Sequence, residues 1–347
     1  MDVRFSAEQR ALRDSVVQVV DHLGPRTVAQ LDDRERAAKL DAAVAAAGWR
    51  ELRTAADDGA PWSTAVEAGI VAEELARGLA DVSFLGPSLA ADLRRLAGAP
   101  ASVAPDTVAF ASDLGGPTRG DDGPVAVDTA GIATALVIVP AAGGYTLAAV
   151  DIPDGGGGVD LTRPTVPVAA SMARPTPVAT DATIDDEDLT RWTALGLALT
   201  CADLVGAMRG ATELTVTYAS EREQFGTPVG SFQAVQHLLA DAAVHTEGSR
   251  TAALHAAWAA DALPPADALA AAAEAKAYCA RAARAVCEIA IQVHGGIGNT
   301  WECMAHVFLR RAVLSTDLFG GIGTNLARVL EHHGIGHLGD GGADGLR

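Results

Sequence analysis

The sequence predicts a mainly α-helical protein with a small β-domain near its middle. Three observations carry this prediction: apolar residues at helical spacing in residues 1–104, short β-branched runs between glycine-rich turns in 105–185, and four long apolar stretches in 186–347. The chain has 347 residues, 49% of them hydrophobic, which is enough for a sizeable core. These three ranges are the predicted domains.

The first predicted domain begins with a helix-start signal. Ser6 and Gln9 stand at the spacing of a capping box, and the apolar residues that follow lie mostly along one stripe of a helix. The stretches 37–52 and 64–80 repeat the amphipathic pattern, and glycine lies within or after each. We expect these helices to pack against one another.

The second predicted domain consists of short strands. "TVAFAS", "ATALVIVP" and "YTLAAVDIP" are separated by "GGPTRGDDG" and "AAGG", and "DGGGG" follows at 154–158. The last segment does not have the spacing GxxxxGK and opens no helix, so it predicts a turn instead of a phosphate loop.

The third predicted domain is a bundle of long helices. An acidic cluster at 185–188 is placed to begin the first one and to complement its dipole. We expect the second to be capped by Ser231 and stopped at Pro264, and the third to end at Gly295. The fourth is expected to start at Asn299 or Thr300 and to run to Phe319.

Composition excludes some functions. The formal net charge is -18, so nucleic acid and anionic membrane surfaces are poor partners. The first twenty residues are too charged for a secretory segment, and no later run approaches the roughly 18 apolar residues of a spanning helix, which predicts a cytoplasmic protein away from the membrane. The four cysteines lack metal-site spacing, so we expect buried thiols and no metal.

Residues 218–236 form the first segment with chemical potential. A helix end leads through Phe225-Gly226 and a proline turn into a new helix, where Arg222 could present a planar fork to a phosphate and Phe225 could cover an aromatic ring. The alternative is a plain helix hairpin in which Arg222 pairs with a nearby acid and Phe225 is core.

Residues 290–302 form the second segment. A helix ends at Gly295-Gly296 and another follows, so bare amides lie near a new helix N-terminus, an arrangement that suits an anion. Gln292 adds an amide that both donates and accepts. The alternative is a tight connector between helices, with His294 as a turn residue.

The two segments together, "RxxFGxPxGxFQxxQ" and "QxxGGxG", resemble the acyl-CoA dehydrogenase family. The opening "FSAEQRALRDSV", "AGW" followed by "EEL", and the β-domain extend the resemblance along nearly the whole chain. It implies a helical domain, a β-domain and a four-helix bundle that enclose FAD. It also implies an oxidoreductase that removes two hydrogens from an acyl-CoA substrate and passes electrons to an electron-transfer flavoprotein.

The resemblance also assigns cofactor-binding residues. In the family these positions contact the FAD of a neighbouring subunit, which implies an oligomer with composite flavin sites. The matching residues of this chain are Arg222, Gln224, Phe225, Gln233, Gln292, Gly295 and Gly296.

The catalytic base is absent from its expected position. Many family members carry a glutamate in "YEG" after "RDA"; here "RRA" at 310–312 matches "RDA", and Phe319 falls on the glutamate. Asp317, two residues earlier on a helix, would point about 200° away unless the register slips. Other members place the base near Gly196, where the sequence has no carboxylate and Asp203 is nearly two turns on. We therefore predict no catalytic residue in this chain.

These features resemble the smaller subunit of the heteromeric acyl-CoA dehydrogenases of steroid side-chain breakdown. The leading hypothesis is a subunit that completes the FAD site of a catalytic partner in a heterotetramer. The nearest counterpart of the flavin-contacting "TEPxAGSD" segment, 111–123, lacks that pattern. Two alternatives stay open: a non-redox or biosynthetic role on the same fold, and a homomeric dehydrogenase whose base is displaced to Asp317 or Asp203.

Overall fold

The computed structural model of the chain describes residues 4–118, 123–178 and 183–335. Part of the predicted segment 111–123 and the end of the third predicted domain therefore lie outside the described residues. Within the described ranges helices dominate, and the main sheet lies in the middle of the chain. The predicted fold class is confirmed, and the domain boundaries stay a prediction.

Helices form the N-terminal part. They are α1 (Ala7–Leu23), α2 (Arg34–Ala46), α3 (Ala65–Arg77) and α4 (Leu85–Leu96). The predicted capping box is present, because the Ser6 side chain accepts from the Gln9 N–H and the Gln9 side chain accepts from the Ser6 N–H. A second capping box, Thr64 with Glu67, begins α3.

The middle of the chain forms a six-stranded sheet. Its strands are β1 (Thr107–Phe110), β2 (Val125–Val127), β3 (Thr134–Ala141), β4 (Gly144–Asp151), β5 (Thr165–Pro167) and β6 (Thr176–Pro177), in the order β5-β2-β1-β3-β4-β6. Among the strand pairs of this sheet in the described ranges, only β1 and β3 run parallel. The three runs predicted from the sequence become β1, β3 and β4; the others are too short to leave a periodic signal.

The C-terminal part is a helical bundle. Its elements are α5 (Asp186–Glu221), a hairpin of β7 (Glu223–Gln224) and β8 (Thr227–Pro228), α6 (Gln233–Ala262), α7 (Pro265–His294), α8 (Ala305–Asp317) and α9 (Ile322–His332). The acidic cluster begins α5 with Asp185 as N-cap, and α7 ends at Gly295, both as predicted.

Two predicted helix starts are wrong. The hydroxyl of Ser231 donates to Pro228 O at 2.7 Å and so closes the hairpin, and α6 begins after Phe232. The hydroxyl of Thr300 donates to Ile297 O at 2.8 Å, which ends a 3-10 turn over Gly295–Asn299. As a result α8 starts at Ala305, with Met304 as N-cap.

The three parts share one packed interior. Helix α3 packs along α5, and α4 packs against both β1 and α5. The indole N–H of Trp192 in α5 donates to Leu89 O in α4 at 3.0 Å. By length and mean hydropathy α5 could span a membrane, but 94% of its most apolar window is buried inside the protein, as expected of a core helix.

Candidate functional site

Phe319, at the expected base position, is a core residue. It follows the end of α8 with φ of 62°, and its side chain is 0% exposed. Its ring meets Phe110 edge-on with centroids 5.0 Å apart and lies 5.3 Å from the Trp192 ring. Strand β1 and helix α5 therefore both press an aromatic side chain against this position.

The second possible base position lies against the first. A Cβ atom built on Gly196 of α5 would overlap the ring of Phe319. One aromatic ring thus fills the space beside both places where the family carries its carboxylate. No flavin ring or thioester fits between Phe319 and Gly196 in this packing.

Neither nearby acid occupies the position expected for a catalytic base. Asp317, the last residue of α8, is exposed, whereas Phe319 is fully buried. Asp203 is buried, and its Oδ1 accepts from Arg311 Nε at 3.0 Å and Nη2 at 2.7 Å. Its Oδ2 accepts from Ser315 Oγ at 2.6 Å. Both oxygens of Asp203 are engaged, so it is a structural carboxylate.

The ion pair of Asp203 joins all three parts of the chain. Arg163, from the segment before β5, lies 3.4 Å from Asp203 Oδ2 and donates to Asp160 Oδ2 at 2.8 Å. Arg311 also donates to Ala80 O, which follows α3. Burial alone would raise the pKa of Asp203, but Arg163 and Arg311 outweigh burial and hold that pKa below its ordinary value.

Lys276 fixes the backbone that carries Phe319. This buried side chain of α7 donates to Ser315 O and Leu318 O, each at 2.6 Å, and to Thr200 Oγ1 at 3.2 Å. Burial lowers its pKa to about 8. Sequence reasoning missed Lys276 and Arg163; the only signal for Lys276 was a single lysine in an alanine-rich helix.

The first predicted cofactor segment is an exposed hairpin. Arg222 caps the C-terminus of α5, and its guanidinium has no ion-pair partner within the described ranges. Phe225 occupies the turn with φ of 55° and is 94% exposed. The alternative interpretation, an ion-paired Arg222 and a core Phe225, is therefore wrong. Gln224 and Gln233 are exposed on the same hairpin and at the start of α6.

The second predicted segment presents bare backbone. Gly295, with φ of 66°, ends α7, and a Cβ atom built on it or on Gly296 would meet no neighbouring atom within 4 Å. Gln292, on the last turn of α7, is exposed as well. The surface over these glycines is thus open to a ligand.

A ring stack brings the two segments together. Tyr218 of α5 and His294 of α7 stack with centroids 4.3 Å apart, and the Tyr218 hydroxyl donates to His294 O at 3.4 Å. The N–H of Arg222 donates to Tyr218 O at 2.9 Å, and Gly295 follows His294 directly. The arginine and the glycine turn therefore occupy one end of the bundle. His294 is a buried packing residue.

The described residues offer groups that suit one half of an FAD site. An unpaired guanidinium, exposed amides and open glycines suit a pyrophosphate and the ADP half of the cofactor. The packed rings around Phe319 leave no room for the flavin ring. Among the described residues no group of three or more His, Cys, Asp or Glu side chains could hold a metal ion.

Comparisons with known proteins identify the family of the chain. Residues 194–331 match the family model for the acyl-CoA dehydrogenase C-terminal domain. The acyl-CoA dehydrogenase IpdE2 of Mycobacterium tuberculosis is 31% identical over 316 residues, which cover 90% of this chain and 92% of that protein. FadE34 of the same organism is 43% identical over 135 residues, 39% of this chain.

Coverage of the relatives is uneven. The chain aligns with 19% of the length of FadE34 and with 50% of the length of IpdE2 from Mycolicibacterium smegmatis, to which it is 35% identical over 48% of its own length. The match to IpdE2 of M. tuberculosis nevertheless covers nearly the full length of both proteins. The chain belongs to the acyl-CoA dehydrogenase family, whose members are FAD-dependent oxidoreductases.

Solved structures share the same fold. A variant of the Tcur3481–Tcur3483 steroid ACAD has a TM-score of 0.74 at 22% identity, with 94% of this chain and 98% of that chain covered. The ChsE4–ChsE5 complex from M. tuberculosis has a TM-score of 0.73 at 22% identity, with 96% and 99% covered. At this identity the likeness concerns the fold.

Proposed function

We propose that this chain is the base-lacking subunit of a heteromeric, FAD-dependent acyl-CoA dehydrogenase. The proposal rests on the contrast between two half-sites of this chain. One is the base position at Phe319, and the other is the surface formed by Arg222 and the glycine turn at Gly295 and Gly296. Phe319 fills the base position with a fully buried ring, whereas Arg222 and the glycine turn stay exposed at one end of the bundle. A chain built in this way can contribute to a neighbour's flavin site without a working site of its own.

The exposed half-site binds the far end of the cofactor. Arg222 donates to the pyrophosphate of the partner's FAD, and Gln292 with the amides at Gly295 and Gly296 holds the ADP half. Gln224, Phe225 and Gln233 line the approach from the hairpin. Once bound, FAD supplies the acceptor for the hydride that leaves the acyl chain.

The partner supplies the missing chemistry. Removal of the weakly acidic α-proton of a thioester needs a positioned base. Of the two acids near Phe319, Asp203 is held by Arg311 and Asp317 is exposed at the end of α8. The partner must therefore carry a glutamate and the acyl-CoA pocket. We propose a two-plus-two heterotetramer that works in the cytoplasm and delivers electrons to an electron-transfer flavoprotein.

A steroid side-chain thioester is the substrate that we propose. The support comes from relatives, since two of the solved structures that share this fold are described as a steroid ACAD and as a two-chain ChsE4–ChsE5 complex. Acyl-CoA thioesters with short, long and steroid-linked acyl groups, compared on the purified complex, test this choice. A preference for straight-chain substrates would contradict it.

Co-expression tests the subunit assignment. The chain is produced alone and together with a family member that retains a glutamate in "YEG", and flavin absorbance, stoichiometry and turnover are measured. We expect FAD and activity only in the joint complex. A stable, FAD-loaded and active homo-oligomer of this chain would refute the proposal, and flavin-free protein at every partner ratio would favour the non-redox alternative.

A pair of arginine variants tests the shared site. Arg222→Ala in the complex removes the charge-assisted bonds to the pyrophosphate, so we expect FAD to dissociate at least about 10-fold faster. Arg10→Ala is the matched control, because Arg10 is exposed on α1, far along the chain from both cofactor segments. Equal FAD retention in the two variants would argue against Arg222 as a cofactor ligand.

A further inference from the structure

Asp128, which follows β2, is a buried carboxyl group with one unpartnered oxygen. Its Oδ2 accepts from the N–H of Phe84 at 2.8 Å and from the N–H of Gly86 at 3.1 Å, so it caps the N-terminus of α4. Asp128 is 2% exposed and has a left-handed backbone with φ of 55°. Its Oδ1 accepts no hydrogen bond from any described group. The second oxygen of Asp128 therefore lacks a donor.

Arg163, before β5, has the opposite deficit. It is 2% exposed, its Nε donates to Asp160, and its Nη2 donates to Ser315 Oγ at 2.7 Å. Nη1 lies 3.4 Å from Asp203 Oδ2, which is close enough for attraction between the charges, but it makes no hydrogen bond to a described group. Buried polar atoms without a partner are rare in folded proteins. Arg163 therefore has a donor without an acceptor.

The charged groups around this pair have their partners. Asp160 Oδ1 accepts from the N–H and the hydroxyl of Thr162 at 2.8 and 2.7 Å. Arg311 Nη1 donates to Ala80 O at 3.1 Å and to Thr162 Oγ1 at 2.9 Å. Both oxygens of Asp203 are engaged as well. One acceptor and one donor thus stay unserved among the carboxyl and guanidinium groups of this cluster.

Asp128 and Arg163 line the same small cavity. Asp203, Arg311 and five apolar side chains complete its wall; the apolar residues are Ala72, Leu75, Val82, Phe84 and Leu85. Every one of these lining residues is buried. The cavity has a volume of about 10 Å³, and a single water molecule needs roughly 10–15 Å³. Its size suits one water molecule and no larger ligand.

The charges of the wall select a neutral ligand. A cation would satisfy Asp128 but would lie against the guanidinium groups of Arg163 and Arg311, and an anion would lie against Asp128 and Asp203. Burial raises the pKa of Asp128, although Arg163 and the N–H groups of Phe84 and Gly86 oppose this rise. Water suits either form of the acid, because it donates to a carboxylate and accepts from a carboxylic acid.

We propose that this cavity is a binding site for one internal water molecule, which bridges Asp128 Oδ1 and Arg163 Nη1. Asp128 caps α4, and Arg163 contacts Ser315 of α8 and Asp203 of α5. The water therefore connects the N-terminal helices, the β-domain and the bundle through hydrogen bonds. Since every lining residue is buried, it exchanges with the solvent only when this packing opens.

A high-resolution crystal structure of the full chain tests the site. We expect one peak of electron density within about 2.7–3.2 Å of both Asp128 Oδ1 and Arg163 Nη1. A cavity without density, or an Asp128 side chain turned to bond Arg163 directly, would overturn the proposal. A peak with several oxygen ligands at about 2.0–2.6 Å would identify a metal ion and would overturn it too.

Oxygen-17 magnetic relaxation dispersion tests the same site in solution, because it counts water molecules that stay inside the protein for longer than its rotation time. Ala72→Val places two more methyl groups at the wall of the cavity, so the count should fall by one relative to the wild type. Ala42→Val, at an exposed position of α2, is the matched control and should leave the count unchanged. Equal counts in the wild type and Ala72→Val would contradict the proposal, and if Ala72→Val fails to fold, the crystal structure of the wild type decides.

Discussion

Phe319 and Gly196 are in direct ring-to-backbone contact across the interface between the α8–α9 turn and α5, and no Cβ atom fits between them. The contact explains why neither position can carry a carboxylate in this chain. A glutamate at either place would have to displace the ring or enter an aromatic cluster, where an unpaired charge is costly. The same packing therefore accounts for a residue without a carboxylate at both expected positions.

The two phenylalanines with left-handed backbone provide a matched stability test. Phe319→Ala leaves a cavity between Phe110 and Trp192, so we expect a loss of about 3–5 kcal/mol in the free energy of unfolding. Phe225→Ala, at a 94% exposed position with nearly the same φ, should change it by less than about 0.5 kcal/mol. Urea denaturation measures both. Similar losses would contradict the assignment of Phe319 to the core.

Two buried helical glycines should respond oppositely to alanine. Gly196→Ala forces its methyl into the Phe319 ring, and such overpacking costs about 1–3 kcal/mol. A Cβ atom on Gly69 of α3 would lie 3.8 Å from the Cβ atoms of Ala202 and Ala257, which is ordinary contact. Gly69→Ala should therefore raise the free energy of unfolding by about 0.5–1 kcal/mol, because it lowers the entropy of the unfolded chain.

Combining Gly196→Ala with Phe319→Ala isolates the pair. Removal of the ring makes space for the methyl, so the penalty of Gly196→Ala should largely vanish in that background. Additive losses in this double-mutant cycle would show that the strain lies elsewhere.

Asp203 makes stability sensitive to acid. Its folded pKa is lowered, so its contribution is fully present above the unfolded pKa of about 3.9 and is lost as the pH falls through the folded value. Asp203→Asn leaves Arg311 and Arg163 without their shared partner, and we expect a cost of about 3–5 kcal/mol at pH 7. Urea unfolding should show that the difference in free energy of unfolding between the wild type and Asp203→Asn becomes smaller below about pH 4.

Asp317→Asn is the control for Asp203→Asn. Asp317 is exposed, so the unfolding curve of Asp317→Asn should follow that of the wild type across the same pH range. The same variant tests the displaced-base alternative, because turnover of the complex should be unchanged. A collapse in turnover would make Asp317 the base.

Lys276 gives a dependence on alkaline pH. Its folded pKa of about 8 lies below the ordinary 10.5, so its charge opposes folding below pH 8, and this penalty disappears as the pH rises toward 10.5. The wild type should gain stability relative to Lys276→Met by up to about 1.4 kcal/mol per pH unit in that window. Parallel curves from pH 7.5 to 10 would contradict this result. Lys39 is exposed, and its hydrogen bond to Glu35 raises its pKa. The wild type should therefore gain no stability relative to Lys39→Met over the same pH window.

Local signals in the sequence predicted much of the fold. The capping box at Ser6, the acidic start of α5 at Asp185 and the glycine end of α7 depend on residues within one turn, and each is confirmed. Ser231 and Thr300 misled because their hydroxyls close turns that precede the helices. A cap and a turn use the same residue types, and only the backbone path distinguishes them.

The site required information that is absent from local pattern. The family resemblance placed Phe319 and Gly196 at two separate candidate base positions, but it could not show that they touch, since they are distant along the chain. Arg163 contacts Asp203 from another part of the chain, so no local pattern in the sequence could predict that ion pair. The exposure of Phe225 could not be predicted from the sequence either, because an aromatic residue in a hairpin can be buried or exposed.

The buried charges around Asp203 have a consequence for how the chain can be divided. The family match begins at residue 194, yet Asp203 and Arg311 within it are completed by Arg163 from before β5 and by the carbonyl of Ala80 after α3. A fragment cut out at the boundaries of this match would expose the guanidinium of Arg311 and the carboxylate of Asp203, which are both buried in the whole chain. The chain should therefore unfold as a single cooperative unit, and proteases should find no stable bundle to release.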